Sequence, residues 1–221
     1  MAYNLEEQEQ LENLKAFWKQ YGNAITWLLV LVLGAYAGWN GWNYYQREQG
    51  LKAGAMYDEL DRSAQAGDAG RASRVLADLQ ERYGSTVYAA QGGLLAARVQ
   101  VEKGQTDAAR ASLSWVAEKA SDEGLRTVAR LRLAGLMLQA GQYDEALRQL
   151  DVAPAPGFEA LVADRRGDVL LAAGRKDEAK AAFEAAFRTM DPQLDYRRLI
   201  EAKLTALGAA PAAPAASGAA Q

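Results

Sequence analysis

The densest group of ionisable side chains in this 221-residue chain is Asp164-Arg165-Arg166 with Asp168 close behind. On a helix, Asp164 and Asp168 share a face at i,i+4, where two carboxylates could hold a cation or receive a partner's lysine. A run of this kind is equally a solvated helix surface carrying weak ion pairs. The wider inventory removes most reaction chemistry. The chain has no histidine and no cysteine, which excludes Ser-His-Asp and Cys-His nucleophiles, His- or Cys-ligated zinc, iron–sulfur clusters, haem held by His or Cys, and disulfides. Catalysis by carboxylates, Lys, Ser/Thr or Tyr would need a reaction-type constellation, and none accompanies the Asp164 cluster. The sequence therefore predicts no enzyme, no cofactor and no metal. With 25 Lys+Arg against 28 Asp+Glu and a net charge of −3, it also lacks the basic stripe of a nucleic-acid-binding protein.

The elements that would carry such a cluster are helical. Alanine is abundant, and the first of only 5 prolines is Pro154, so the first two thirds of the chain hold no obligate helix breaker. No charge occurs between Lys19 and Arg47, and the stretch 24–39 reads AITWLLVLVLGAYAGW. Roughly 20 apolar residues cross a bilayer core as a helix, so one transmembrane helix is expected over about Ala24–Tyr45, within an anchor segment 21–46. Trp18, Tyr21 and Trp27 stand towards one end and Trp39, Trp42, Tyr44 and Tyr45 at the other, where amphipathic rings meet the headgroup layers. Ala35-Tyr36-Ala37 resembles a signal-peptide cleavage site, but Glu6, Glu7, Glu9 and Glu12 make an acidic lead-in unlike a signal n-region. Lys15 and Lys19 on one side balance Arg47 and Lys52 on the other, so flanking charge leaves the orientation open.

Residues 1–20 form an amphipathic helical segment. Asn4 is its expected N-cap, with Glu7 three residues on. Leu11, Leu14, Phe17, Trp18 and Tyr21 fall on one face, which could lie on the bilayer, meet a partner helix or simply extend the membrane helix. Within the anchor, Gly34 and Gly38 form a Gly-x-x-x-Gly pair that permits close helix contact.

Beyond Arg47 the chain repeats. Gly-Gln-Tyr-Asp-Glu-Ala-Leu at 141–147 aligns with Gly-Arg-Lys-Asp-Glu-Ala-Lys at 174–180 and Gly-Gln-Thr-Asp-Ala-Ala-Arg at 104–110, with a weaker copy from Gly67. The four glycines are 37, 37 and 33 residues apart. Each copy reads as a helical hairpin: an Ala-rich helix, a left-handed Gly that ends it, and an Asp near the start of the next helix. Small residues then let the two helices approach, Ala134 with Ala146 and Gly167 with Ala179. The pattern is similar to the tetratricopeptide repeat, whose unit is about 34 residues, with Tyr143 and Phe183 at its aromatic positions. The fold expected is all-α: a single transmembrane helix, then a tetratricopeptide-like α-solenoid of stacked hairpins over 47–207, then a disordered Ala/Pro tail over 208–221.

Stacked hairpins build an extended binding surface. In this frame the groove face of the first helix in each unit comprises Gln91, Leu94, Arg98 and Val101, then Val128, Leu131, Gly135 and Leu138, then Leu161, Asp164, Asp168 and Leu171. Each set keeps a three, four, three spacing and so lies on one helical face.

The order of parts resembles the YfgM-like family of ancillary subunits of the bacterial Sec translocon. The likeness runs through Tyr3-Asn-Leu-Glu-Glu-Gln-Glu-Gln-Leu11 with Lys15, Phe17 and Trp18, through Tyr83-Gly-Ser-Thr-Val-Tyr-Ala-Ala90, and through Arg126-Thr-Val-Ala-Arg-Leu-Arg-Leu-Ala134 and Arg166-Gly-Asp-Val-Leu170. The resemblance implies a bacterial inner-membrane protein with a cytoplasmic N-terminus and a periplasmic repeat domain. It further implies association with the SecYEG channel and with a membrane-anchored periplasmic chaperone of the prolyl-isomerase-like type. A non-catalytic adaptor at the translocon is the function expected. The other reading of the same parts is a scaffold for assembly of another envelope or respiratory membrane complex.

Overall fold

A computed structural model describes residues 5–209, with side chains described from residue 9 onward. Among them are nine α-helices and no strand. The chain divides into two compact units, at residues 1–51 and 52–221. The expected cap Asn4 and the tail beyond Ala209 lie outside the described residues.

The first helix, α1 (Leu5–Gln65), is 61 residues long. It merges the expected amphipathic segment, the anchor and the start of the repeats into one element. The physical reason is local: no proline interrupts it, and scattered glycines each cost only about 1 kcal/mol in a helix. Between Trp27 and Leu33 every side chain is more than half exposed. A helix apolar all round and unburied by its own chain is suited to lipid, not to water. Nearer the start, the Trp18 ring covers Gly22, lying 3.2 Å from where a Cβ would stand, and Phe17 and Tyr21 stack at 5.1 Å. Leu11, Leu14, Phe17, Trp18 and Tyr21 are all exposed. A Cβ on Gly34 or Gly38 would meet nothing within 4 Å, so packing within the chain does not account for either glycine.

The second unit takes the end of α1 and eight further helices: α2 (Ala69–Tyr83), α3 (Val87–Glu102), α4 (Thr106–Lys119), α5 (Glu123–Gln139), α6 (Tyr143–Leu150), α7 (Glu159–Ala172), α8 (Lys176–Thr189) and α9 (Tyr196–Ala206). One turn is used four times. Gly67, Gly104, Gly141 and Gly174 have φ of +66°, +72°, +71° and +78°, a region open to glycine at little cost. At each turn the glycine N–H donates three residues back, and the next N–H donates five residues back, as from Gln142 to Met137 O at 2.9 Å. This is the Schellman arrangement, which satisfies the last carbonyls of one helix while starting the next. The weak copy at Gly67 makes the same turn as the strong ones.

Five residues after each glycine stands an alanine, and Ala72, Ala109, Ala146 and Ala179 are all fully buried. Opposite them, seven residues before the glycines, stand Ala97, Ala134 and Gly167. At Gly167 a Cβ would lie 2.5 Å from the Phe183 ring, so only glycine admits the phenylalanine there. The end of α1 has Leu60 at this register, packed with Val75, Leu76 and Ala96.

The Asp residues of the repeats sit inside the first helical turn, not at the cap. Asp107, Asp144 and Asp177 are first-turn acids, favoured there by the helix dipole. Among the acids that follow the four turn glycines, only Asp68, in the weak copy, caps its helix with a side chain, accepting from Arg71 N–H. Arginines from following helices close the far ends: Arg126 donates to Ala120 O, Arg130 to Ala117 O and Arg166 to Leu150 O. The eight-residue α6 is followed by a Pro-containing link, pinned where Ala155 N–H donates to the buried Thr127 hydroxyl at 3.0 Å.

Candidate binding groove

The first helices of the second, third and fourth hairpins bring their exposed faces together around an open cleft of about 650 Å³. Ala97, Arg98, Val101 and Glu102 come from α3, and Leu113 from α4. Val128, Leu131, Arg132, Gly135, Leu136 and Gln139 come from α5, with Leu161, Asp164 and Arg165 from α7 and Tyr196 from α9. Most of this wall is apolar, and the polar groups stand at defined places on it.

Seven of the positions that the repeat frame places on the groove face line the cleft: Arg98, Val101, Val128, Leu131, Gly135, Leu161 and Asp164. The other five stand elsewhere. Gln91 is exposed towards the start of α3. Leu94 is buried in the cluster of Leu113, Val116 and Ala129. Leu138 packs beside Met137 and Ala146. Leu171 is exposed at the end of α7, and Asp168 faces α9. The cleft thus takes the later part of α3, the middle and end of α5 and the earlier part of α7.

Asp164 and Asp168 hold a lysine, as their i,i+4 spacing allows, but it belongs to the same chain. Lys203 on α9 donates to both Asp164 oxygens at 2.8 and 3.0 Å and to Asp168 at 2.7 Å. The Tyr196 hydroxyl donates to Asp164 at 2.7 Å. Asp164 is only 2 % exposed, so its charge is buried and internally compensated. Burial, reinforced by the Asp164 carboxylate, pushes the Tyr196 phenol up to about 12. Among the described residues no cluster of acids, His or Cys is arranged to hold a metal.

Eight lining residues stand outside the sequence expectation of a groove face: Ala97, Glu102, Leu113, Arg132, Leu136, Gln139, Arg165 and Tyr196. For two of them a signal exists. Arg132 and Arg165 each stand nine residues before a turn glycine, at one register of the repeat. Tyr196 has no such signal, because α9 lies beyond the last repeat.

A family model described as a tetratricopeptide repeat-like domain matches residues 15–209. A protein of Haemophilus influenzae named ancillary SecYEG translocon subunit is 34 % identical over 186 residues, covering 84 % of this chain and 91 % of its own. The chain belongs to that family. A relative of the same name in Neisseria gonorrhoeae is 32 % identical and is covered along 100 % of its length, against 94 % of this chain. The relative in Escherichia coli is 33 % identical over 83 % of this chain and 88 % of its own. The matched residues take in all the hairpins and their glycine turns. The apolar stretch of α1 fits a membrane-anchored member of the ancillary subunit family.

Proposed function

We propose that this protein is a non-catalytic adaptor anchored beside the SecYEG channel. Its hairpin domain stands in the periplasm, where the cleft binds segments of a partner chaperone of the prolyl-isomerase-like type, of emerging chains, or of both. The observation that carries this reading is the apolar cleft shared by three successive first helices. An extended segment could run across all three without entering a closed pocket. Tethering supplies what such shallow contacts lack, since a linked site reaches an effective concentration in the mM range when geometry permits. The names of the relatives support the placement at the translocon.

The test is recovery of partners from membranes solubilised in mild detergent. The intact protein should bring down SecYEG and periplasmic partners together. Val101 and Leu161 line the cleft and are 41 % and 36 % exposed, so Val101→Asp with Leu161→Asp should leave the fold intact. That variant should lose the periplasmic partners and keep SecYEG. Full recovery of both from the folded variant would remove the cleft from the contact surface.

A further inference from the structure

We propose that the cleft selects extended segments in which apolar side chains alternate with carboxylates, Arg132 and Arg165 receiving the carboxylates above the apolar floor. The proposal rests on the groove reading and adds a charge preference to it. Arg132 and Arg165 occupy the same register on adjacent first helices, and each reaches back towards the helix before its own. Arg132 Nη1 donates to Leu94 O on α3 at 3.0 Å. Arg165 Nη1 lies 3.7 Å from where a Cβ of Gly135 on α5 would stand, so the guanidinium lies over that helix. The two cations thus recur along the cleft at the step of the repeat.

The charge balance inside the cleft favours an acidic occupant. Two acids line it, and the chain has already satisfied both: Glu102 pairs with Arg98 at 2.9 Å, and Asp164 is held by Lys203 and Tyr196. Among the described residues no ion pair engages Arg132 or Arg165. Arg132 is pushed below the usual arginine value, first by burial and then by the positive charge of Arg98. A guanidinium fork in a partly dry site prefers a planar carboxylate to water. Basic segments would meet repulsion in the same place.

The test uses the full chain in nanodiscs of zwitterionic lipid, with empty discs as the blank. Three dye-labelled peptides share one set of apolar residues and carry Glu, Gln or Lys between them, and binding is read by fluorescence anisotropy. The Glu peptide should bind about tenfold more tightly than the Gln peptide, the effect of a charge-assisted contact, and the Lys peptide most weakly. Raising the salt should narrow the difference. Arg132→Gln with Arg165→Gln removes both charges and keeps polar side chains at the two positions; it should abolish the preference for the Glu peptide over the Gln peptide. Equal binding of all three peptides, or a preference that survives in the arginine variant, overturns charge selection. The groove reading then still stands if Val101→Asp with Leu161→Asp abolishes binding. Failure of every peptide to bind the intact protein overturns both.

Discussion

The side chains that decide how this domain packs are its smallest. Ala146 and Ala179 are fully buried at the crossing points of their hairpins, where any added volume must push two helices apart. Ala146→Leu and Ala179→Leu should each lower stability by about 1–3 kcal/mol, the usual cost of overpacking a filled site, read as a shift in the thermal or urea midpoint. Parent-like melting of both would mean that the hairpins do not cross at these alanines. A different residue reports on the last helix. Tyr196 is neutral in the fold up to about pH 12, against an ordinary value of 10. The folded state therefore holds the phenol proton more tightly than the unfolded chain does. This contribution is complete below pH 10 and is lost as pH rises towards 12. In an alkaline titration followed by phenolate absorbance, Tyr196→Phe should remove a late-ionising tyrosine. Its stability should also fall less steeply between those pH values. An unchanged late phase in the variant would place the Tyr196 hydroxyl in free solvent.

At the level of elements, α9 is held by chemistry that the repeats do not supply. Ile200 and Leu204 are buried against Phe183 and Ala186, and Lys203 joins α9 to two carboxylates of α7. Lys203→Met would leave Asp164 buried without its cation. Such a break typically costs 3–5 kcal/mol, the lower end of that range suiting a lysine that keeps 21 % exposure. Asp164→Asn combined with Lys203→Met should recover part of the loss, measured in a double-mutant cycle. The contrast between α9 and the repeats explains what the sequence could and could not convey. Turn glycines and buried alanines recur at fixed spacing because each hairpin solves the same local problem, so Gly67, Gly104, Gly141 and Gly174 announced their conformation directly. The internal lysine of the Asp164–Asp168 pair came from a helix 35 or more residues away, outside any repeat, and only folding brings it there. For the same reason the cleft was legible at Arg98, Val101, Val128, Leu131 and Leu161. It was not legible at Tyr196, whose place depends on how the array ends.

For the molecule as a whole, α1 joins the apolar stretch to the first hairpin as one continuous helix. An uncleaved anchor predicts that the protein extracted from membranes keeps its first residues by intact mass; a mature chain starting at Gly38 would contradict it. In sealed spheroplasts, added protease should digest the hairpin domain, whereas digestion only after lysis would place that domain in the cytoplasm. The recurring glycine turn has a consequence of another kind. Because each hairpin turns through the same backbone geometry, the stretch from Gln105 to Gly141 runs from one turn to the next and starts and finishes at equivalent points of the array. A gene duplication of that stretch would add a hairpin in register, with the buried alanine and the small residue opposite it already in place. The arrangement offers evolution a way to lengthen the groove without inventing a new junction.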